Sequence, residues 1–211
     1  MFDRIEDKEI DKEIDKELNI QTTGLIEWPR GVNLDYFRTE SSSYRDLKRF
    51  VEKYDLREDS HLVDYGSGKG RIVFYLNHQL NIPTTGIEVN KKAFALLEEN
   101  HKDYEKEFPE KASTVQLVEK KAEVYSVKPT DDIFYFFNPF TVNIFGEVIQ
   151  KIEASLKEHP RVADIILYYP GVAYAFYLEK YSSFHLVQTI KTPRYFLNNR
   201  ECFKVFRYYP T

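Results

Sequence analysis

The chain has 211 residues, 42% hydrophobic and 30% charged, with a formal net charge of -4 at pH 7. That is the make-up of one globular domain with an appendage, and its mild acidity gives no general attraction to nucleic-acid backbones. Cys202 is the only cysteine, which excludes an internal disulfide and a cysteine-held zinc, and no run approaches the roughly 18 apolar residues of a membrane span. A cytoplasmic protein without a membrane role or a signal peptide is expected.

Residues 1–40 read as the appendage and 41–211 as the main domain. From Asp3 to Leu18 the unit Glu-Ile-Asp-Lys occurs twice, and Ile10, Ile14 and Leu18 recur every fourth residue. This makes a helix with a narrow apolar stripe flanked by Glu/Lys pairs. Two readings stay open: a helix docked on the main domain or on a partner, and a solvated, frayed one. Gly24, Pro29 and Gly31 break the connector from Asn19 to Glu40, where Trp28 is expected as a core anchor. Ser41 to Ser43 offer N-caps to a helix whose Leu47, Phe50, Val51 and Tyr54 fall at helical spacing.

Leu62-Val63 then leads into Asp64-Tyr65-Gly66-Ser67-Gly68-Lys69-Gly70-Arg71, followed by a helix from Ile72 to Leu80. Glycines where a strand hands over to a helix permit a sharp bend and bring backbone N–H groups close to a ligand. A phosphate-cradling P-loop is excluded, because only Ser67 separates Gly66 from Gly68 and Lys69 is followed by Gly70. A dinucleotide fingerprint is weakened, because its third glycine position is Arg71. Glu88 closes the next strand, Pro83 to Val89, about 20 residues beyond the glycines, the offset at which an acid accepts hydrogen bonds from ribose hydroxyls.

A helix from Asn90 to Phe108, closed by Pro109, precedes a strand from Thr114 to Val118 and then Ala122-Glu123. Asp131 to Phe137 is a continuous apolar run, as in a strand buried on both faces, and it ends in Asn138-Pro139-Phe140. A helix from Val142 to Leu156, a strand from Val162 to Tyr169 and a helix from Ala173 to Lys180 follow. Two last strands, Phe184 to Thr192 and Cys202 to Tyr208, can form a hairpin. This alternation predicts an α/β fold with a mostly parallel sheet and helices on both faces. Of Phe140, Tyr168, Tyr169, Tyr174 and Tyr177 near strand ends, one or two are expected to touch a ligand and the rest to be core. The five histidines show neither metal spacing nor a nearby nucleophile, so no metal site is expected.

The Asp-x-Gly-x-Gly-x-Gly turn resembles motif I of class I, Rossmann-like S-adenosylmethionine-dependent methyltransferases. Asn138-Pro139-Phe140 resembles a motif IV short of one proline, and the pair resembles a bacterial subgroup of that family. The resemblance covers about Ser41 to Tyr208 and implies a seven-stranded sheet and S-adenosyl-L-methionine as cofactor. It also implies that Asp64, Tyr65, Gly66, Ser67, Gly68 and Gly70 surround the methionine moiety, with Glu88 on the ribose. Ala122 and Glu123 fall near the adenine, with Lys121 where the family has an acid. Asn138 would orient an acceptor nitrogen, with Pro139 shaping the loop and Phe140 stacking on a planar acceptor. Residues 1–40 would then include a lid. The acceptor is protein, RNA or a small molecule. Two rivals stay open: a non-catalytic cofactor-binding or assembly protein whose charged N-terminal helix serves a partner, and a nicotinamide-dependent oxidoreductase.

Overall fold

The structure is a computed structural model that describes residues 2–27 and 35–210, with side chains described from Asp7 onward. Trp28, Pro29 and Gly31 lie outside the described residues, so the anchor role of Trp28 is not placed.

Period-two alternation inside apolar runs builds the centre of the molecule. In β1 (Leu62–Tyr65) and β4 (Ile133–Phe136), Leu62, Ile133 and Tyr135 enter one hydrophobic cluster, and Val63, Tyr65, Phe134 and Phe136 the other. The first cluster is covered by α2 (Tyr44–Lys53), α3 (Arg71–Leu80) and α4 (Lys91–Glu107), and the second by α6 (Val142–Glu158) and α7 (Val172–Tyr181). The remaining strands are β2 (Thr84–Glu88), β3 (Val115–Glu119), β5 (Ala163–Tyr168), β6 (His185–Lys191) and β7 (Cys202–Tyr208). They line up as β3-β2-β1-β4-β5-β7-β6, with the first five parallel and β7 antiparallel to both neighbours. The result is a seven-stranded mixed α/β sheet.

Strand order reverses between β1 and β4, so the crevice outside their carboxyl ends is the switch point at which open α/β sheets bind ligands. Asp64, Glu88 and the exit of β4 converge there. Helix α4 ends at Glu107 with Phe108 as its cap, so Pro109 closes it as read; Pro109 also begins a separate single turn, α5 (Pro109–Ala112), since proline at a first helical position loses no hydrogen bond.

The charged N-terminal helix α1 (Phe2–Glu17) is docked on the main domain. Its Asp15 is buried and accepts hydrogen bonds from Thr22 N (2.6 Å), Thr22 Oγ1 (2.6 Å) and Tyr44 Oη (2.7 Å). Arg71, the residue that ends the glycine turn, is 3% exposed. It donates to Asp11 (2.6 Å), Thr22 Oγ1 (2.7 Å) and Ser42 O (2.9 Å), and its guanidinium lies 4.3 Å from the Tyr44 ring centroid. Lys69 donates to the carbonyls of Thr23 and Gly24. The two cations of the turn therefore hold the appendage, which its narrow apolar stripe alone would hold weakly.

Removing one member of a buried ion network leaves the others uncompensated. Arg71→Ala is expected to lower stability by about 3 kcal/mol in urea denaturation. It should also make the segment before Ser41 sensitive to limited proteolysis. Unchanged stability and protease resistance would contradict this anchoring.

Candidate functional site at the switch point

The turn after β1 is pinned before any ligand enters. Gly66 N and Ser67 N both donate to Ile87 O on β2 (2.9 and 3.0 Å). Gly66, Gly68 and Gly70 have φ of +80°, +56° and +89°, the left-handed region that glycine alone occupies without strain. Space restricts them as well. A Cβ on Gly66 would lie 2.4 Å from Pro139 Cβ, and one on Gly68 would lie 2.3 Å from Thr39 Cγ2. The connector and the exit of β4 thus rest directly on the turn's backbone.

Two carboxyls face this turn and differ in how they are satisfied. Glu88 accepts from Gly68 N (2.8 Å), Val89 N (2.8 Å) and Asn90 N (2.7 Å). Burial raises its pKa, and the three N–H donors offset part of the rise. Three of roughly four acceptor positions are filled, leaving one for a hydroxyl donor. Asp64 is 3% exposed, and its carboxyl accepts no hydrogen bond among the described residues. Burial, then the neighbouring Glu88, push its pKa well above the carboxylate range. The hydroxyl of Ser67 is buried and also lacks a partner among the described residues. Asp64 and Ser67 line a cavity of about 20 Å³ with Thr39, Ser42, Tyr135 and Phe137. Beside it, Tyr36, Glu88, Lys120 and Ala122 line one of about 40 Å³. These volumes hold roughly one and three waters.

The remaining predicted site residues divide. Tyr65 does not reach this crevice: alternation along β1 turns it to the opposite face, where it stacks on Phe136 (4.9 Å between centroids, 2° between planes). Ala122 and Glu123 lie in a short 3-10 turn, Ala122–Val124, and both meet Tyr36. The Ala122 N–H donates to Tyr36 Oη (3.3 Å), which in turn donates to the Glu123 carboxylate.

The motif after β4 is arranged differently from the acceptor-orienting role. Asn138, at φ +43°, donates from Nδ2 to Tyr169 O (2.8 Å) and accepts at Oδ1 from Gly171 N (3.0 Å). Its amide clamps the loops after β4 and β5 together. Pro139 covers Gly66. Phe140 is fully buried between Tyr36, Phe136 and Tyr174, so it presents no face to a planar acceptor.

The aromatic residues that do face open space are ones that sequence reasoning passed over or left undivided. Phe137 borders both small cavities and a wider groove of about 720 Å³, also lined by Phe37, Arg38, Tyr169 and Arg200. Arg200 lies 4.3 Å from the Tyr169 ring centroid. Phe137 was legible as the last residue of a continuous apolar run; Thr39 and Tyr36, far away in sequence, carried no signal. Of the five aromatics named from strand ends, Tyr168 is buried against Asp46 (2.6 Å), Tyr174 is core, and Tyr169 lines the groove.

A family model described as "Histone methylation protein DOT1" matches residues 39–122, the stretch that carries Thr39, the glycine turn, Glu88 and Ala122. No curated protein sequence matches the chain. Among solved structures, the "human methyltransferase 10 domain containing protein" is similar over 94% of this chain and 93% of its own, with a TM-score of 0.59 and 10% identity. The putative methyltransferase yhhF from Escherichia coli is similar over 89% of this chain and 100% of its own (TM-score 0.54, 13% identity). An RNA methyltransferase from Salinibacter ruber, solved in complex with S-adenosyl-L-homocysteine, is similar over 81% and 92% (TM-score 0.50, 16% identity). At such identities the likeness is one of fold, and the fold is the Rossmann-like methyltransferase fold.

Because the Pro139 ring cannot rotate out of the way, Gly66→Ala is expected to cost about 1–3 kcal/mol and to displace the loop after β4. Thermal denaturation and the amide shifts of Asn138 and Phe140 report both effects. An alanine variant that melts with the parent would contradict the close approach.

Proposed function

We propose that the chain is a class I methyltransferase that takes S-adenosyl-L-methionine at the crevice between β1 and β4. One observation carries the reading: Asp64 is a buried carboxyl without a hydrogen-bond partner among the described residues, set against a glycine turn at the switch point of this fold. Such a carboxyl needs a cation or a donor, and the ammonium of a methionine moiety is both. The unpartnered hydroxyl of Ser67 and the free acceptor position of Glu88 fit the same ligand, the second through its ribose hydroxyls.

The cofactor, when bound, would supply a sulfonium methyl that an acceptor takes in line, with the thioether leaving as S-adenosylhomocysteine, a step governed by alignment more than by a strong base. The chain's own groups supply the alignment. Gly66, Gly68 and Gly70 set the backbone, Asp64 fixes one end of the ligand and Glu88 its middle. The groove beyond Phe137, edged by Tyr169 and Arg200, is the approach for the acceptor, whether protein, RNA or small molecule. In this reading Asn138 and Pro139 position the two loops that frame that approach. A second reading, cofactor binding without transfer, is favoured by the same amide, because both of its ends are already bonded. Methyl transfer from labelled cofactor into any fraction of a cell extract would exclude it.

The test of the cofactor rests on the charge of Asp64. Its carboxyl is protonated over a wider pH range in the free protein, and a bound ammonium favours the carboxylate. Binding should therefore release a proton, and affinity should rise with pH across the range in which the free carboxyl is still protonated. Calorimetry with S-adenosylhomocysteine in buffers of different ionisation enthalpy measures that release. Asp64→Asn is expected to weaken binding about a hundredfold. Binding of NAD in preference, or S-adenosylhomocysteine binding unaffected by Asp64→Asn, would contradict the assignment.

A further inference from the structure

We infer that Tyr36 is a built-in competitor for the adenine edge of the ligand, closing the adenosyl end of the site until a 6-aminopurine displaces its hydroxyl. The inference rests on the S-adenosyl reading above and adds to it a gate and a rule of base specificity. Its ground is the pairing at the 3-10 turn after β3. Adjacent residues there present a backbone donor, Ala122 N–H, and a carboxylate acceptor, Glu123. The Watson–Crick edge of adenine carries the complement, an amino donor at N6 beside a ring acceptor at N1. A phenol hydroxyl supplies the same two functions from one atom, and Tyr36 Oη does so, accepting from Ala122 N (3.3 Å) and donating to Glu123.

The surroundings make this contact consequential. The Glu123 side chain is 13% exposed, and Lys121, its ion-pair partner among the described residues, stands 3.7 Å away on a largely exposed side chain. Without the phenol, the carboxylate would be left partly desolvated with a weak ion pair, so it favours whichever donor fits. Tyr36 is held in place from behind. Its ring packs edge-on against Phe140 (5.7 Å, 72°), and Phe37 N donates to Pro139 O (2.9 Å). Thr141 N donates to Asp35 O (2.7 Å). Further along the connector, Thr39 covers Gly68. One strand of connector thus covers the adenine end with Tyr36 and the turn with Thr39. The Tyr36 hydroxyl occupies both the Ala122 N–H and the Glu123 carboxylate, so a purine that takes those two positions requires Tyr36 to leave them.

A purine carrying a 6-oxo group has the order reversed, an acceptor at O6 beside a donor at N1, so in the pose that adenine takes it sets donor against Ala122 N–H and acceptor against Glu123. The gate therefore selects for the amino group. Tyr36→Phe keeps the ring and its packing and removes the hydroxyl. In calorimetry it is expected to bind S-adenosylhomocysteine and adenosine about tenfold more tightly than the parent. Inosine should gain nothing, and adding Glu123→Gln to Tyr36→Phe should cancel the gain. Amide exchange in the ligand-free protein gives a second readout, with Ala122 protected in the parent and released in Tyr36→Phe. Parent-like or weaker adenosine binding by Tyr36→Phe, at an unchanged melting temperature, would overturn the gate while leaving the cofactor assignment standing. Absence of binding to parent and variants alike would overturn both.

Discussion

The close approach of two side chains to a glycine backbone organises this molecule. Pro139 and Thr39 rest where Cβ atoms on Gly66 and Gly68 would otherwise be, and they belong to segments far apart in the sequence. Pro139 carries the exit of β4, the strand that forms the other wall of the switch-point crevice. Thr39 carries the connector, which continues back to Tyr36 at the 3-10 turn and, beyond the undescribed residues, to the N-terminal helix. Directly after the turn, Arg71 ties that helix down through Asp11 and Thr22. A short peptide turn therefore fixes the position of the helix, the connector and the loop after β4 together, and a side chain on Gly66 would displace that loop while one on Gly68 would displace the connector.

Burial of carboxyls around that turn is unfavourable in itself. Asp64 and Glu88 are both raised by desolvation, and Asp46, bonded to Tyr168 nearby, is raised to about 6 by burial and by Glu201. Glu88 is relieved by three backbone N–H groups and Asp46 by a phenol. Asp64 has neither. An arrangement that satisfies two of three buried acids from within and leaves the third bare concentrates the need for a cationic donor at one atom group. This contrast links the fold to the proposed ligand more directly than the glycines do.

The parts legible in the sequence were those set by local chemistry. The apolar runs at Leu62-Val63 and Asp131 to Phe137 marked the strands, the glycine spacing marked the turn, and the offset to Glu88 placed an acid beside it. The exit loops were not legible. Asn138 and Tyr169 both adopt positive φ, a conformation no apolar pattern announces, and it turns the Asn138 amide toward Tyr169 and Gly171 instead of into the groove. Phe140 was read as a stacking surface and is core, because the chain turns inward once β4 ends and Tyr36 and Tyr174 close over it. Tyr65 was counted among the ligand contacts because of its place in the turn motif, but the pleat of β1 sends its side chain to the face that holds Phe136. The contact of Tyr36 with Glu123 spans 87 positions, and nothing in either neighbourhood indicates the other.

The central claim is that Asp64, the glycine turn, Glu88 and Ala122 form one adenosyl-binding crevice. Mapping amide chemical shifts during titration with S-adenosylhomocysteine tests it most directly. The largest changes are expected at Gly66, Gly68, Val89 and Ala122, from the methionine end to the adenine end of a single ligand. Changes centred on residues 193–200, or none on the turn at a concentration that saturates binding, would contradict it.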